Sequence, residues 1–241
     1  VQASLHQVTR SNADLAQFAY VASHDLQEPL RAVGGCVQLL KRRYTGKLDQ
    51  KADELIQMIV DGSARMKALI DDLLAYSQTG GDERLQVIDT GEALQEALAN
   101  LDSAVRESSA EIDCKTLPPL RFVKTEFVQV LQNLIGNAIK YRGLAAPLVH
   151  VRAERQGDAW VFRVADNGIG FEPQYAEQIF GVFKRLHTRE KYAGTGIGLA
   201  LVKKLVERRG GWIWVDSVPD QGSTFYFSVP DADASWETTP E

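Results

Sequence analysis

Apolar residues recur at alternating spacings of four and three near the start of the chain: Leu15, Ala19, Ala22, Leu26, Pro29, Val33, Cys36 and Leu40. That is the a/d seam of a heptad, and it demands a long helix packed against other helices. After a short break at Thr45-Gly46, with Asp49 as the expected N-cap, a second stripe runs Ala52, Leu55, Ile59, Gly62, Met66, Leu69, Leu73, Tyr76. Ile56, Val60, Ile70 and Leu74 widen it. Two long helices joined by so few residues form an antiparallel hairpin, and stripes this wide cannot be buried by the hairpin alone. The expectation is a homodimeric four-helix bundle, with Cys36 filling a small core position.

The same phase places one histidine. With Ala19 at a and Ala22 at d, His24 falls at f, facing away from the bundle core, and Asp25 sits beside it at g. Tyr20, Gln27, Glu28 and Arg31 share that outer face. A lone surface histidine usually carries no chemistry. Pro29, however, cannot donate to the carbonyl of Asp25, so the helix ladder is interrupted beside His24, and Gly34-Gly35 weakens it again one turn later.

Thr79-Gly80-Gly81-Asp82 is a turn cluster after which the periodicity changes, and the domain boundary is placed there. The pattern beyond predicts a short strand near Leu85, a helix from Thr90 to about Ser108, a strand around Glu111 to Lys115 and a helix from Lys124 to Arg142. Strands Leu148 to Arg155 and Ala159 to Ala165 follow, then a loop-rich stretch, a helix from Gly196 to Arg209, and strands Trp212 to Asp216 and Thr224 to Val229. Mixed helices with mainly antiparallel strands predict an α/β sandwich, helices covering one face of a sheet. The fold class is therefore α+β with two domains. Its divisions are a coiled linker at 1–17, a helical domain at 18–80, an α/β domain at 81–230 and a flexible tail at 231–241.

Composition narrows the partners. The 241 residues are 44% hydrophobic, enough for a proper core, and a net charge of -5 with no block of like charges leaves no footprint for nucleic acid or an anionic membrane. Cys36 and Cys114 have no ligand or disulfide spacing, which fits a reducing compartment. No run of 18 apolar residues and no basic-then-apolar start are present, so neither a membrane span nor a signal peptide is expected. A soluble, cytoplasmic fragment is the expectation.

Three constellations in the second domain could carry chemistry. Between Lys124 and Arg142, Phe127, Val130, Leu131, Leu134 and Ala138 form one helix face, while Asn133, Asn137 and Lys140 line the other. Amides at i, i+4 and an ammonium at i+7 suit a hard cation and phosphate oxygens, although a solvated face has the same pattern. Asp166-Asn167-Gly168-Ile169-Gly170 follows an apolar strand and puts a carboxylate at a strand end, where an ordinary Asp-Gly turn is the alternative. Gly194-Thr195-Gly196-Ile197-Gly198 runs into a helix, and its N–H groups suit phosphate. No G-x-x-x-x-G-K-[ST] occurs, and no strand directly precedes the glycine loop, which argues against a P-loop or Rossmann site.

The order of these motifs is more specific than any one of them. SHDLQEPL resembles the H box of sensor histidine kinases, QVLQNLIGNAIKY the N box, DNGIGFEP the G1 box, IFGVFKRLH the F box, GTGIGLALV the G2 box and GSTFYF a third glycine box. The resemblance runs from about Ala16 to Pro230, and the wording is most like cores joined to phytochrome-type or PAS-type sensors. It implies a dimerisation and histidine-phosphotransfer bundle followed by a Bergerat-type ATP-binding domain, with ATP and Mg²⁺ as cofactors. By resemblance His24 is the phosphoacceptor and Asp25 the acid/base that orients it. Asn137 would hold Mg²⁺ with Asn133 beside it, Lys140 would meet phosphate and Tyr141 the nucleotide. Asp166 would bind adenine, Gly168 and Gly170 would shape its pocket, and Gly194, Thr195, Gly196, Gly198 and Leu199 would border the nucleotide with Thr224. Lys184, Arg185, His187 and Arg189 would supply phosphate contacts.

Asn133 stands where gyrase-like ATPases carry a water-activating glutamate, and an amide is a poor base. The implied activity is autophosphorylation of His24 and transfer to an aspartate of a separate response regulator, under an upstream sensor. Many members carry Thr or Asn four residues after the phosphoacceptor, where this chain has Glu28, so weak phosphatase activity toward the regulator is expected.

Overall fold

The computed structural model describes residues 25–78, 85–186, 192 and 194–231. The chain divides into two compact units, Val1–Gly81 and Asp82–Glu241. The expected linker at 1–17, His24, the turn cluster from Thr79 to Asp82, His187, Arg189 and the tail beyond Asp231 lie outside the described residues.

The first unit is a helical hairpin. Helix α1 is described over 25–44 and runs through Pro29 without a break, so losing one ladder bond does not end it. Gly46, at φ 71, makes the turn, its N–H donating to Asp53 Oδ2 at 3.1 Å. Asp49 caps α2 (Gln50–Gln78) by accepting from the Ala52 N–H at 2.8 Å. Gln27 Nε2 bonds Asp71 Oδ1 at 2.9 Å across the hairpin.

Within one chain, Val37 is the one described apolar side chain of this unit that is buried. Leu26, Val33 and Leu40 on α1, and Leu55, Ile59 and Met66 on α2, stand about half exposed. Cys36 is exposed within one chain. The reason is geometric: the inward stripe of α1 is Gln27, Leu30, Gly34 and Val37, and the a/d seam points away from the partner helix of the same chain.

The second unit is built on a five-stranded sheet of order β2-β4-β5-β7-β6. Its strands are β2 (Glu111–Cys114), β4 (Leu148–Gln156), β5 (Ala159–Asp166), β6 (Ile213–Val218) and β7 (Gly222–Pro230). Only β2 with β4 is parallel; the remaining pairs are antiparallel, with Phe162 opposite Phe227 in the centre. A separate antiparallel ribbon joins β1 (Gln86–Ile88) to β3 (Leu120–Phe122). Strand β3 escapes a periodicity reading because three residues after Pro118-Pro119 hold no repeat.

Three longer helices, α3 (Thr90–Asn100), α5 (Lys124–Lys140) and α6 (Gly198–Arg208), carry the buried apolar faces. The helix expected over 90–108 is two. It breaks at Leu101, whose N–H reaches back to Ala97 and Leu98, and restarts as α4 (Asp102–Ser108). On either side of the break, Asn100 Nδ2 donates to Gln132 Oε1 at 3.3 Å and Asp102 Oδ1 accepts from Arg106 Nε at 2.8 Å.

Phe127 of α5 is the hub of the core, with Phe162, Phe122 and Phe227 at 5.3, 5.5 and 6.1 Å in edge contacts. Glu126, 12% exposed, receives Arg209 at 2.7 Å and Arg208 at 3.2 Å, tying the start of α5 to the end of α6. This clamp fixes the two helices that flank the site.

Candidate functional site

The pocket of the second unit is lined by Asn137 and Tyr141 from the end of α5, and by Asp166, Ile169, Gly170 and Phe171 from the DNGIGF segment. Ile179, Lys184, Arg185, Leu186, Leu199, Ser223 and Phe225 complete it. Its walls are mainly apolar, with the Asp166 carboxylate, the Asn137 amide and the cations Lys184 and Arg185 set among them. That is the composition of a site for a flat heteroaromatic group carrying a polar edge.

Close backbone approaches seat Asp166. A Cβ on Gly168 would lie 2.5 Å from the Tyr141 carbonyl oxygen, and the Ile169 N–H donates to that same carbonyl at 2.9 Å. Gly170, at φ 55, would put a Cβ 2.0 Å from the Val218 carbonyl. Gly222 in turn lies against the Asp166 backbone. The DNGIG turn is thus wedged between the end of α5 and the β6–β7 hairpin.

Two N–H groups, from Gly168 at 2.8 Å and Ser223 at 3.2 Å, donate to Asp166 Oδ1. Among the described residues no donor reaches Oδ2. Burial pushes the Asp166 carboxyl above the usual carboxylate range, and the two N–H bonds only partly offset it.

The polar side chains divide by role. Asn137 lines the pocket, and its amide has no hydrogen-bond partner among the described residues. Asn133 is not among the lining residues. Its Nδ2 donates to the Gln129 carbonyl at 2.8 Å, and its Oδ1 lies where a Gly198 Cβ would come within 2.3 Å. It therefore packs α5 against the start of α6.

Lys140 sits 4.3 Å from the centre of the Tyr141 ring, and a Cβ on Gly194 would come 2.4 Å from its Nζ. Gly194 and Gly196, at φ 145 and 79, hold the GTGIG turn out of helical geometry, so α6 begins at Gly198 and not at Gly196. Thr195 Oγ accepts from the Ile197 N–H at 3.3 Å. Leu199 lines the pocket. Thr224 does not: on β7 it points opposite to Ser223 and Phe225, which do. Asp25 and Glu28 are exposed on α1.

The apolar walls and Ser223 are what sequence reasoning missed. The signal for Ser223 was its place beside Gly222 in GST, since a glycine that lets two backbones touch also brings its neighbour's N–H to the carboxylate.

Among the described residues no three His, Cys, Asp or Glu side chains gather as a metal cage. A divalent cation at Asn137 Oδ1 would take its other ligands from phosphate oxygens and water, as Mg²⁺ commonly does. The residues fit that group.

Residues 123–233 match the family described as Histidine kinase-, DNA gyrase B-, and HSP90-like ATPase, and residues 14–81 match the His Kinase A (phospho-acceptor) domain. The chain is 50% identical to the phytochrome-like protein Cph1 of Synechocystis sp. over 92% of its own length and 30% of that protein. It is 49% identical to cyanobacterial phytochrome A of Nostoc sp., over 93% and 30%. The chain thus spans about a third of the curated relatives it matches. A crystal structure of full-length ShkA in complex with AMPPNP is similar at 26% identity and TM-score 0.68, covering 89% of this chain and 45% of that one. Histidine kinase ThkA in complex with response regulator protein TrrA shares the fold at 19% identity and TM-score 0.64, over 98% and 68%.

Proposed function

The chain belongs to the sensor histidine kinases, and we propose that it transfers the γ-phosphoryl group of ATP to His24 and from there to an aspartate of a separate response regulator. The observation that carries this reading is Asp166: a desolvated carboxylate with both backbone donors on one oxygen, facing an apolar pocket whose rim holds an uncommitted amide. Its Oδ2 suits the exocyclic amine of adenine, with Ile169, Ile179, Leu199 and Phe225 against the ring. Asn137 Oδ1 would hold Mg²⁺, which would offset the charge that develops on the phosphate oxygens. Lys184 brings an ammonium group to the pocket, and Lys140 brings one to the glycine turn at Gly194.

A ring nitrogen of His24 attacks the γ-phosphorus and displaces ADP, while Asp25 orients the ring and takes up its proton. Asn133, already hydrogen-bonded to the α5 backbone, is no base for water, which favours transfer onto histidine over hydrolysis.

The half-exposed stripe of Leu26, Val33, Leu40, Leu55, Ile59 and Met66 supports assembly with a second copy into a four-helix bundle. Exposed Glu28 supports weak phosphatase activity, and a purified core that rapidly strips phosphate from its cognate regulator would refute that part. Among the described residues no helix is long and apolar enough to cross a membrane. A cytoplasmic placement, where ATP and the regulator are both available, completes the proposal.

The deciding experiment incubates the protein with γ-labelled ATP and Mg²⁺. The expected result is acid-labile, base-stable label on the protein that disappears in His24→Ala. Phosphate release without label would leave an ATPase, and nucleotide binding with neither would leave a scaffold.

A further inference from the structure

Three of the cations that the family resemblance directs at phosphate are described, and their surroundings differ. Lys184 lines the pocket and has no ion-pair partner among the described residues. Lys140 lies over the Tyr141 ring beside Gly194. Arg185 is engaged elsewhere: its Nη1 donates to the Gly194 carbonyl at 2.6 Å and its Nη2 to the Tyr192 carbonyl. Both terminal nitrogens of the fork therefore hold main chain.

The surrounding contacts reinforce this. A Cβ on Gly196 would come 3.1 Å from Arg185 Cγ, 3.0 Å from the Lys184 carbonyl oxygen and 3.1 Å from the Phe183 carbonyl carbon. The glycine turn thus lies directly on the backbone of residues 183–185. Phe183 itself is held at φ 62, a left-handed conformation that aromatic residues rarely adopt and that persists only where neighbours over-determine it. Tyr192, whose carbonyl Arg185 holds, sets its ring 5.0 Å from that of Tyr141, a wall of the pocket.

We propose that Arg185 is a positioning residue: its guanidinium fixes the main chain at Tyr192 and Gly194, and so presents the GTGIG amides to phosphate and braces Tyr141. The proposal rests on the nucleotide-binding reading above and reassigns one of its cations. Lysine cannot substitute in this role. An ammonium restores the charge but not two coplanar N–H groups directed at carbonyls two residues apart. A side chain acting only by its charge on phosphate would tolerate the exchange in part.

The test compares wild type, Arg185→Lys and Arg185→Ala in the full chain. Amide hydrogen exchange is followed over residues 192–201 without nucleotide, and calorimetry gives affinities for ATP, ADP and adenosine with Mg²⁺. Both variants are expected to speed exchange alike, by about tenfold, as local opening becomes easier. Both should raise the dissociation constants of ATP and ADP by a common factor of about ten, leaving adenosine within about twofold.

Wild-type exchange in Arg185→Lys would overturn the proposal, and so would a loss confined to ATP, which marks a terminal-phosphate contact. If the wild type binds no nucleotide at all, the ATP reading fails and the exchange comparison alone decides the tether. Arg185 is only partly buried, so neither variant empties the core.

Discussion

The described hairpin buries one apolar side chain, Val37, within its own chain, whereas the α/β unit buries Phe122, Phe127, Phe162 and Phe227 in a single cluster and closes helices over a sheet. Both segments are rich in apolar residues. The difference lies in where the partner surface is. A sheet and its helices supply each other's partner inside one chain, while two helices with stripes on their outer sides leave half of that surface unpartnered. Within one chain the first unit thus leaves apolar surface open, whereas the second closes its own core.

The largest effect should come from the hub of the closed unit. Phe127→Ala removes the ring that touches three others and should destabilise the α/β unit by about 3–5 kcal/mol. All four tryptophans lie beyond residue 82, so their fluorescence reports this unit alone. The expected outcome is an early tryptophan transition with helical circular dichroism retained by the hairpin; one shared transition would break the comparison.

Next in size is a change that spares the fold and removes the ligand. Asp166→Asn should weaken ATP binding at least about 100-fold, since the replacement offers a donor to the adenine amine. The folded-state pKa of Asp166 is raised, so its contribution to stability is present at low pH and lost as pH rises through that raised value. The asparagine variant should therefore melt no lower than wild type at pH 7. In the wild type, ATP affinity should fall as pH drops through the same raised value, because the ionised form is the better acceptor.

The open unit predicts a concentration-dependent defect. Ile59→Ala should weaken self-association by about 2 kcal/mol for the two copies, roughly thirtyfold, as read by sedimentation. ATP affinity should not change. If Ile59→Ala leaves the dissociation constant untouched, the exposed stripe is not the interface.

The smallest effect belongs to a surface cluster. Asp113 accepts from Arg152 and from His150, which together hold its carboxyl below the ordinary value. That stabilisation is present above the ordinary carboxylate pKa and is lost as pH falls through the lowered one. Because the group is exposed and solvent-screened, Asp113→Asn should lower the unfolding temperature at pH 7 only slightly, and the difference from wild type should vanish once the pH is below the lowered value.

Much of the site was legible before any coordinates. Asp166, Asn137, Tyr141, Lys184 and Leu199 line one pocket because glycine spacing and helix faces are local properties that a sequence displays. Thr224 and Asn133 lie off the pocket wall for a shared reason. Which side of β7 faces the pocket depends on its register with β5, and which neighbour an amide meets depends on how α6 docks on α5. Neither is written in the residues nearby.

The sequence by itself determined the hairpin, the order of the asparagine and glycine motifs and the exclusion of a P-loop. Each follows from periodicity or from turn chemistry acting over a few residues. Only the tertiary structure decided that Ser223 shares the Asp166 carboxylate and that Arg185 grips the backbone of Tyr192 and Gly194. Those pairings join residues from separate elements, and a carbonyl carries no side-chain signature by which a sequence could announce it as a partner.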